Sequence, residues 1–217
     1  DKKRPGGQAA TTERLENYPG FPGGVGGKEL MELMRKQAEQ MGAETIRGEI
    51  VSIEDDNGLY RIVLSKGNRI ESRSVILAPG CQPRQLGIPG EKEFISHGVS
   101  YCSVCDAPFF KDKSIAVIGG GNSGFEAALD LAKYAKRIFI FERSDKIKAD
   151  EILQQLVKKE KKIEVHLNKE IKKIEGKGKV QALIYHDVKT DKTFQVPIDG
   201  VFVQIGTVPA TGFIKGL

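Results

Sequence analysis

The sequence predicts an α/β protein, with parallel strands separated by helices and interrupted by antiparallel meanders. Three observations predict it. The second half alternates short apolar runs with amphipathic stretches, in the order "SIAVI", "FEAALDLAKYA", "RIFIFE", "ADEILQQLVKKE", "KIEVHL". Strands that alternate with helices pair in parallel. A glycine-rich turn, "GGGNSG", joins the first of these strands to the first helix. In both halves, strand-like segments also follow each other directly, some across "DDNG" and "KGN", and such tight turns make hairpins.

Each element has its own local reason. Residues 1–28 are rich in "PGG" and "PGF" and read as loop. From Lys28 to Met41 apolar residues recur at helical spacing (Leu30, Met31, Leu33, Met34, Ala38), and Gly42 is the stop. Residues 44–80 read as an antiparallel meander that closes on an apolar strand, Ser74 to Leu77, leading into Ala78-Pro79-Gly80. Residues 81–100 read as a connecting loop, and a cysteine pair follows in "YCSVCDAPFF". Ser114 to Ile118 is a buried strand. The helix after it places Phe125, Ala128, Leu129, Leu131 and Ala132 on or near one face. "IKKIEGKGKVQALIYHD" and "TFQVPIDGVFVQIG" form an antiparallel insertion that returns to a buried strand.

The totals bound the function. A chain of 217 residues holds one large or two small domains. With 39% hydrophobic and 29% charged residues it is neither disordered nor a membrane protein. No apolar run reaches the roughly 20 residues a membrane span needs. The opening "DKKRPGGQ" is polar and carries no export signal, so the cytoplasm is the expected compartment. The chain starts without Met, and a start downstream of the natural one is expected. The net charge of +5 invites a nucleic-acid reading, but the lysine excess lies in "KKEKKIEVHLNKEIKKIEGKGK", with glutamates interspersed. That pattern marks a solvated face, and it lacks the interleaved aromatics that stack bases. No nucleic acid and no membrane are expected as partners.

"VIGGGNSG" contains Gly119-x-Gly121-x-x-Gly124 after an apolar strand and before an amphipathic helix. Glu142 ends the next strand, 18 residues after Gly124. This context is what a dinucleotide-binding fingerprint requires. Gly119 permits the turn, Gly121 lets a pyrophosphate approach the backbone, and Gly124 lets helix and strand pack closely. The helix N-terminus presents N–H groups and a positive dipole end to phosphate. Glu142 can accept bonds from both ribose hydroxyls of NADH and would repel the 2′-phosphate of NADPH. Arg143, Lys146 and Lys148 pull the other way. NADH is favoured, with NADPH the alternative.

Cys102 and Cys105 form a C-x-x-C pair with Asp106 directly after it. Zinc would need a second pair of ligands. Only Cys81, His97, His166 and His186 remain, at no ligand spacing, so no metal is expected. A structural disulfide is the bland reading. The redox reading fits better: such pairs close a small disulfide ring, and Asp106 could protonate a leaving thiolate. NAD(P)H delivers hydride and a disulfide accepts electrons through thiolates, so a flavin normally stands between them. Cys81 reads as an incidental thiol and His97 as a loop-shaping residue.

Taken in order, "PGGQAATTERLENYPGFPGGVGGKELM", "VILAPGCQPRQLGIPGE", "GVSYCSVCDAPFF", "IAVIGGGNSGFEAALDLA" and "GVFVQIGTVPATGF" resemble the low-molecular-weight thioredoxin reductases. The likeness extends over essentially the whole chain. The second half also resembles the flavoprotein subunit of alkyl hydroperoxide reductase, through "FFKDKSIAVIGGGNSGFEAA", "KADEILQQL" and "FVQIG".

The resemblance implies two Rossmann-like three-layer domains with meander insertions. These would be an incomplete FAD-binding domain (1–106), a nicotinamide domain carrying or flanked by the dithiol (107–205), and a return into the FAD domain (206–217). It implies FAD as cofactor. Cys105 would be the flavin-side thiol, Cys102 the thiol that attacks a substrate disulfide, and Asp106 the acid. Gly6, Gly7, Gln8, Thr12, Asn17, Ala78 and Gly80 would line the FAD site. Asn122, Ser123, Ile205 and Gly206 would join the nicotinamide-nucleotide site. The implied partner is a thioredoxin or a glutaredoxin-like protein, and the implied assembly a homodimer.

Three departures stand out. Ala78-Pro79-Gly80 replaces the family's Ala-Thr-Gly. Glu142-Arg143-Ser144 stands where NADPH users carry His-Arg-Arg. The family's first strand with its G-x-G-x-x-G and its closing Gly-Asp segment are both missing, so the sequence reads as a piece of a longer chain.

Overall fold

Ser114–Ile118 is the central strand of a five-stranded parallel sheet. Its side chains point alternately to two faces, and residues 115–118 are almost fully buried on both. A strand covered on both faces is apolar throughout, as a parallel sheet requires. The computed structural model describes residues 5–11, 14, 15 and 18–214. Within these the chain divides into two compact units, one of residues 1–82 and 208–217, the other of residues 83–207.

In the first unit, helix α1 (Gly27–Gln40) ends where Gly42 turns with φ of 89°. Strands β1 (Ile50–Asp56), β2 (Leu59–Leu64) and β3 (Arg69–Ser72) form the antiparallel meander that the turn residues predict. Asn57 and Gly58 both take positive φ in the first turn, the geometry that two-residue hairpins demand. The strand expected at Ser74–Leu77 is absent. The segment is irregular and Ile76 is 96% exposed. An apolar run becomes a strand only where a neighbour satisfies its backbone, and no described residue pairs with it.

The chain crosses between the units at β4 (Cys81–Pro83) and later at β13 (Thr207–Pro209), two short strands that pair with each other. The second compact unit starts at Pro83. Residues 83–106 join it because β5 (Val99–Ser100) lies within them and pairs with its sheet. The stretch read as plain loop is thus partly sheet.

The second unit is built on a five-stranded parallel sheet in the order β5-β12-β6-β7-β8. Its further strands are β6 (Ser114–Ile118), β7 (Arg137–Phe141), β8 (Ile163–His166) and β12 (Gly200–Val203). Helix α3 (Asn122–Ala132) links β6 to β7, and α4 (Glu151–Lys159) links β7 to β8. The short helix α2 (Ser103–Asp106) carries the cysteine pair. Ile115, Val117, Ile138 and Ile140 pack with Phe125 and Leu131 in one apolar cluster. Ala116, Ile118, Phe139 and Phe141 join a second cluster with Ile171, Ile174, Val180 and Leu183. Those last four come from β9 (Lys169–Gly176) and β10 (Val180–Asp187), which form an antiparallel meander with β11 (Lys192–Pro197). The result is three layers: helices, parallel sheet, meander. Apart from half-buried Lys169, the lysines of the charged run are exposed, and two of them pair with glutamates, Lys172 with Glu170 and Lys173 with Glu175.

Candidate functional site

Strand order reverses at β6, which has β7 on one side and β12 on the other. In open α/β sheets ligands bind beyond the carboxyl ends of the strands at such a switch point. Every chemically suggestive stretch of this unit leaves a carboxyl end. Gly119–Gly121 follows β6, Glu142 follows β7, Lys169 lies just after β8, Gln204–Gly206 follows β12, and Tyr101–Cys102 follows β5.

The glycine loop is shaped as its spacing predicts. Gly119 has φ of 129°, and a Cβ there would meet the Gln204 carbonyl oxygen at 2.2 Å. A Cβ on Gly124 would lie 2.0 Å from the Gly119 carbonyl oxygen, so α3 packs against the loop as only glycine allows. A Cβ on Gly121 would meet nothing within 4 Å. That face is open, and α3 starts there without a side-chain cap. The loop is held by Gly119 N–H to the Phe141 carbonyl (2.9 Å) and by the Lys148 and Ala149 amides to the Gly120 carbonyl.

A cavity of about 640 Å³ opens over this loop. Gly119, Gly121, Asn122, Ser123, Glu142, Arg143, Lys148, Ile205 and Gly206 all line it, while Gly124 lies beneath. Three further charged residues of the cavity, Arg84, Lys169 and Glu170, escaped the sequence reading, as did Gln204. Lys169 could have been found, because it follows the carboxyl end of a predicted parallel strand. Arg84 could not, because its place depends on where the chain enters the unit.

Glu142 is buried, at 8% exposure. Burial pushes its carboxyl up, but the amide and hydroxyl of Ser144, the Gly120 amide and Lys148 together hold it below the ordinary range. It accepts hydrogen bonds from Gly120 N (2.8 Å), Ser144 N (2.8 Å) and Ser144 Oγ (2.7 Å). Three of the roughly four acceptor positions of a carboxylate are thus taken. The cations nearby are largely answered. Lys169 Nζ pairs with Asp187 at 2.5 Å, and Arg143 lies 3.9 Å from Glu170. Asn122 makes two bonds with Asp150, through its amide nitrogen (2.9 Å) and its carbonyl oxygen (2.8 Å), tying the start of α3 to the start of α4.

Cys102 and Cys105 are joined as a disulfide, with Cα atoms 5.4 Å apart. Cys102 is the N-cap of α2, and its Sγ accepts from the Cys105 amide at 3.2 Å. Asp106 ends that helix, half-buried. His97 shapes the turn before β5, with Nδ1 3.1 Å from the Ile95 carbonyl oxygen.

The residues expected at the flavin belong to the first unit. Gly6 and Gly7 take positive φ. The Gln8 amide is bonded to the carbonyl and Sγ of Cys81, and Ala78 and Gly80 are exposed. Thr12 and Asn17 lie outside the described residues. The unit's large cavity, about 940 Å³, is lined by Pro5, Ala10, Lys28, Met31 and their neighbours, and by none of the five described residues expected at the flavin. The residues lining the glycine-loop cavity suit a dinucleotide. Among the described residues no cluster could hold a metal ion, and no helix is long and apolar enough to cross a membrane.

A parallel sheet with a dinucleotide fingerprint at its switch point and a disulfide at its edge defines a nucleotide-linked redox protein. The family model for pyridine nucleotide-disulphide oxidoreductases matches residues 1–216. The thioredoxin reductase of Treponema pallidum is 38% identical over 214 residues, covering 99% of this chain and 69% of the relative. That of Bacillus subtilis is 40% identical over 206 residues, covering 94% and 65%. Among solved structures, the thioredoxin reductase of Lactococcus lactis superposes with a TM-score of 0.84 at 37% identity, over 98% of this chain and 70% of that one. The chain thus spans about two thirds of the length of the curated relatives it matches. It belongs to the pyridine nucleotide-disulphide oxidoreductase family, in the branch of the thioredoxin reductases.

Proposed function

We propose that this chain carries the nicotinamide-nucleotide and dithiol parts of a flavin-dependent disulfide reductase that acts on a thioredoxin-like protein. One observation carries the reading: the Cys102–Cys105 disulfide and the glycine-loop cavity stand at the same end of one parallel sheet, beyond the carboxyl ends of its strands. The overall exchange balances as NAD(P)H, a proton and a protein disulfide giving NAD(P)⁺ and a protein dithiol. FAD, when bound, supplies the passage from hydride to thiolate chemistry.

The chain's own residues do the rest. Gly121 and the start of α3 receive the pyrophosphate. Reduced Cys102 attacks a sulfur of the substrate disulfide as thiolate. Cys105 then displaces the substrate thiolate, and the Cys102–Cys105 bond re-forms. Asp106 supplies the proton that a leaving thiolate takes. Of the flavin residues, Gly6, Gly7, Gln8, Ala78 and Gly80 belong to this proposal by family likeness alone. The protein works in the cytoplasm, as a homodimer.

Glu142 supports NADH as the donor. A carboxylate held ionised beside the loop keeps one acceptor position for a ribose hydroxyl, while a 2′-phosphate would face its charge. The cations Arg143 and Lys169 already have carboxylate neighbours.

The test has two readouts on the purified chain. NADH and NADPH are titrated by calorimetry, with NADH expected to bind more tightly. Oxidised thioredoxin, FAD and NADH are then supplied, and new thiols are counted. NADH-dependent thiol formation, lost in Cys105→Ser with NADH affinity intact, is the expected result. Nucleotide binding with no thiol product would reduce the chain to a nicotinamide-binding module. Product with a glutaredoxin-like protein but not with thioredoxin would move it to a peroxiredoxin-linked system.

A further inference from the structure

Glu91 is the most deeply buried charged side chain among the described residues, with 0% exposure, and nothing in the proposed reaction uses it. A carboxylate taken fully from water is costly unless donors surround it. Here three do: the amides of Leu86 (2.8 Å) and Gly87 (2.7 Å) and the hydroxyl of Tyr101 (2.8 Å). Its platform is rigid. The Ile174 amide bonds to the Pro89 carbonyl at 3.0 Å, and Gly90 presses so closely on the Ile174 carbonyl oxygen that a Cβ would lie 2.0 Å from it.

Tyr101 is the residue before Cys102. Its hydroxyl is fixed by Glu91, and its carbonyl oxygen accepts from Gln204 Nε2 at 3.1 Å. Gln204 belongs to the nucleotide cavity, and its own carbonyl oxygen faces Gly119. On the other side of the peptide, Ser100 Oγ accepts from Cys102 N (3.0 Å) and donates to Cys102 O (3.2 Å). The main chain carrying Cys102 is thus held from three directions. Burial, then Glu91, pushes the Tyr101 phenol above its ordinary range, which keeps it a donor.

We propose that Tyr101 is a positioning residue: anchored by Glu91 and Gln204, it holds Cys102 where Cys105 can close on it, and so sets how strongly the pair prefers the disulfide to the dithiol. The inference rests on the pair being the redox dithiol of the proposed reaction. Its physical basis is effective concentration, because two thiols held in register close a bond more favourably than two on a loose segment. Tyr101 is not a catalytic residue, since it acts through the main chain of Cys102.

The test uses the exchange in which the protein disulfide and two glutathione thiols give the protein dithiol and glutathione disulfide. No nucleotide or flavin is present, so its outcome is independent of whether the chain accepts electrons from NADH. The chain and Tyr101→Phe are equilibrated in glutathione buffers, and the dithiol fraction is read by alkylation and mass spectrometry. Losing one bond to a buried carboxylate is expected to move the equilibrium about tenfold toward the dithiol. Gln204→Met, which frees the carbonyl but keeps the hydroxyl bond, is expected to move it the same way by less. Val157→Ala, in the apolar cluster under α4, is a control for general loss of stability and is expected to leave it unchanged. An unchanged equilibrium in both Tyr101→Phe and Gln204→Met, or an equal change in Val157→Ala, would overturn the proposal.

Discussion

Gly121 and Gly124 stand three residues apart in one motif and do different things. At Gly124 an added Cβ would drive into the Gly119 carbonyl at 2.0 Å, which is backbone and cannot swing away. At Gly121 an added Cβ would enter open space, and the residue is extended (φ −93°, ψ −177°), a conformation alanine adopts freely. Gly124→Ala is therefore expected to cost about 3 kcal/mol of stability, at the upper end of overpacking. Gly121→Ala should cost under about 1 kcal/mol as a weaker N-cap, yet reduce NADH affinity at least tenfold by filling the space a pyrophosphate needs. Thermal melts and calorimetric titrations of both variants check the split. Equal losses of affinity with stability untouched in both would contradict the close packing at Gly124. Glycine spacing is legible in a sequence because its reason is local, but which glycine guards the ligand and which guards the fold is read from what lies opposite each.

At the scale of elements, the β9–β10 hairpin is closed at one end by charge. Lys169 at the start of β9 meets Asp187 at the end of β10 at 2.5 Å, and the amides of Lys189 and Thr190 also donate to Asp187. The bond from Lys169 is the main cause that lowers the Asp187 carboxyl to about 2, with burial opposing it. Unfolded, the same carboxyl titrates near its ordinary value of about 4. As pH falls from about 4 to about 2 the unfolded chain takes up a proton that the folded chain refuses, so stability is present above this window and lost through it. Melting temperatures between pH 5 and 2 should show that slope, and Asp187→Asn should flatten it; an unchanged acid limb would place the acid sensitivity elsewhere. The hairpin itself follows from the sequence pattern. Its closing pair does not, because Lys169 and Asp187 become opposite only through the register of the two strands. The irregular 74–77 segment teaches the converse. Its apolar residues meet every local requirement for a strand, but hydrogen-bond partners are supplied by other parts of a structure.

For the molecule as a whole, the glycine-loop cavity and the disulfide lie together in the unit of residues 83–207. A ligand that binds only the folded form of that unit stabilises it by mass action, by about 2.7 kcal/mol at one hundred times its Kd. Hydrogen exchange with and without NADH should then show amides of β6, β7 and β12 slowed about a hundredfold, with those of β1–β3 unaffected. Uniform slowing across both sets would mean that the whole chain unfolds as one cooperative body, and no slowing anywhere would exclude nucleotide binding.

The α/β class, the order of helices and strands in the second half, the glycine loop with its acid, and the close cysteine pair all follow from neighbours in the chain. Periodicity, turn chemistry and cysteine spacing act over a few residues, so they can be read without knowing the fold. Sheet order is different. Placing β5 beside β12, and β12 beside β6, brings Tyr101 to Gln204 across 103 positions of sequence. It also draws residues 83–106 into the unit that holds the glycine loop. The Glu91 anchor, the cations of the cavity and the unpaired state of residues 74–77 arise at that level, because each depends on which strands become neighbours, and strand neighbours are chosen by the packing of the whole sheet.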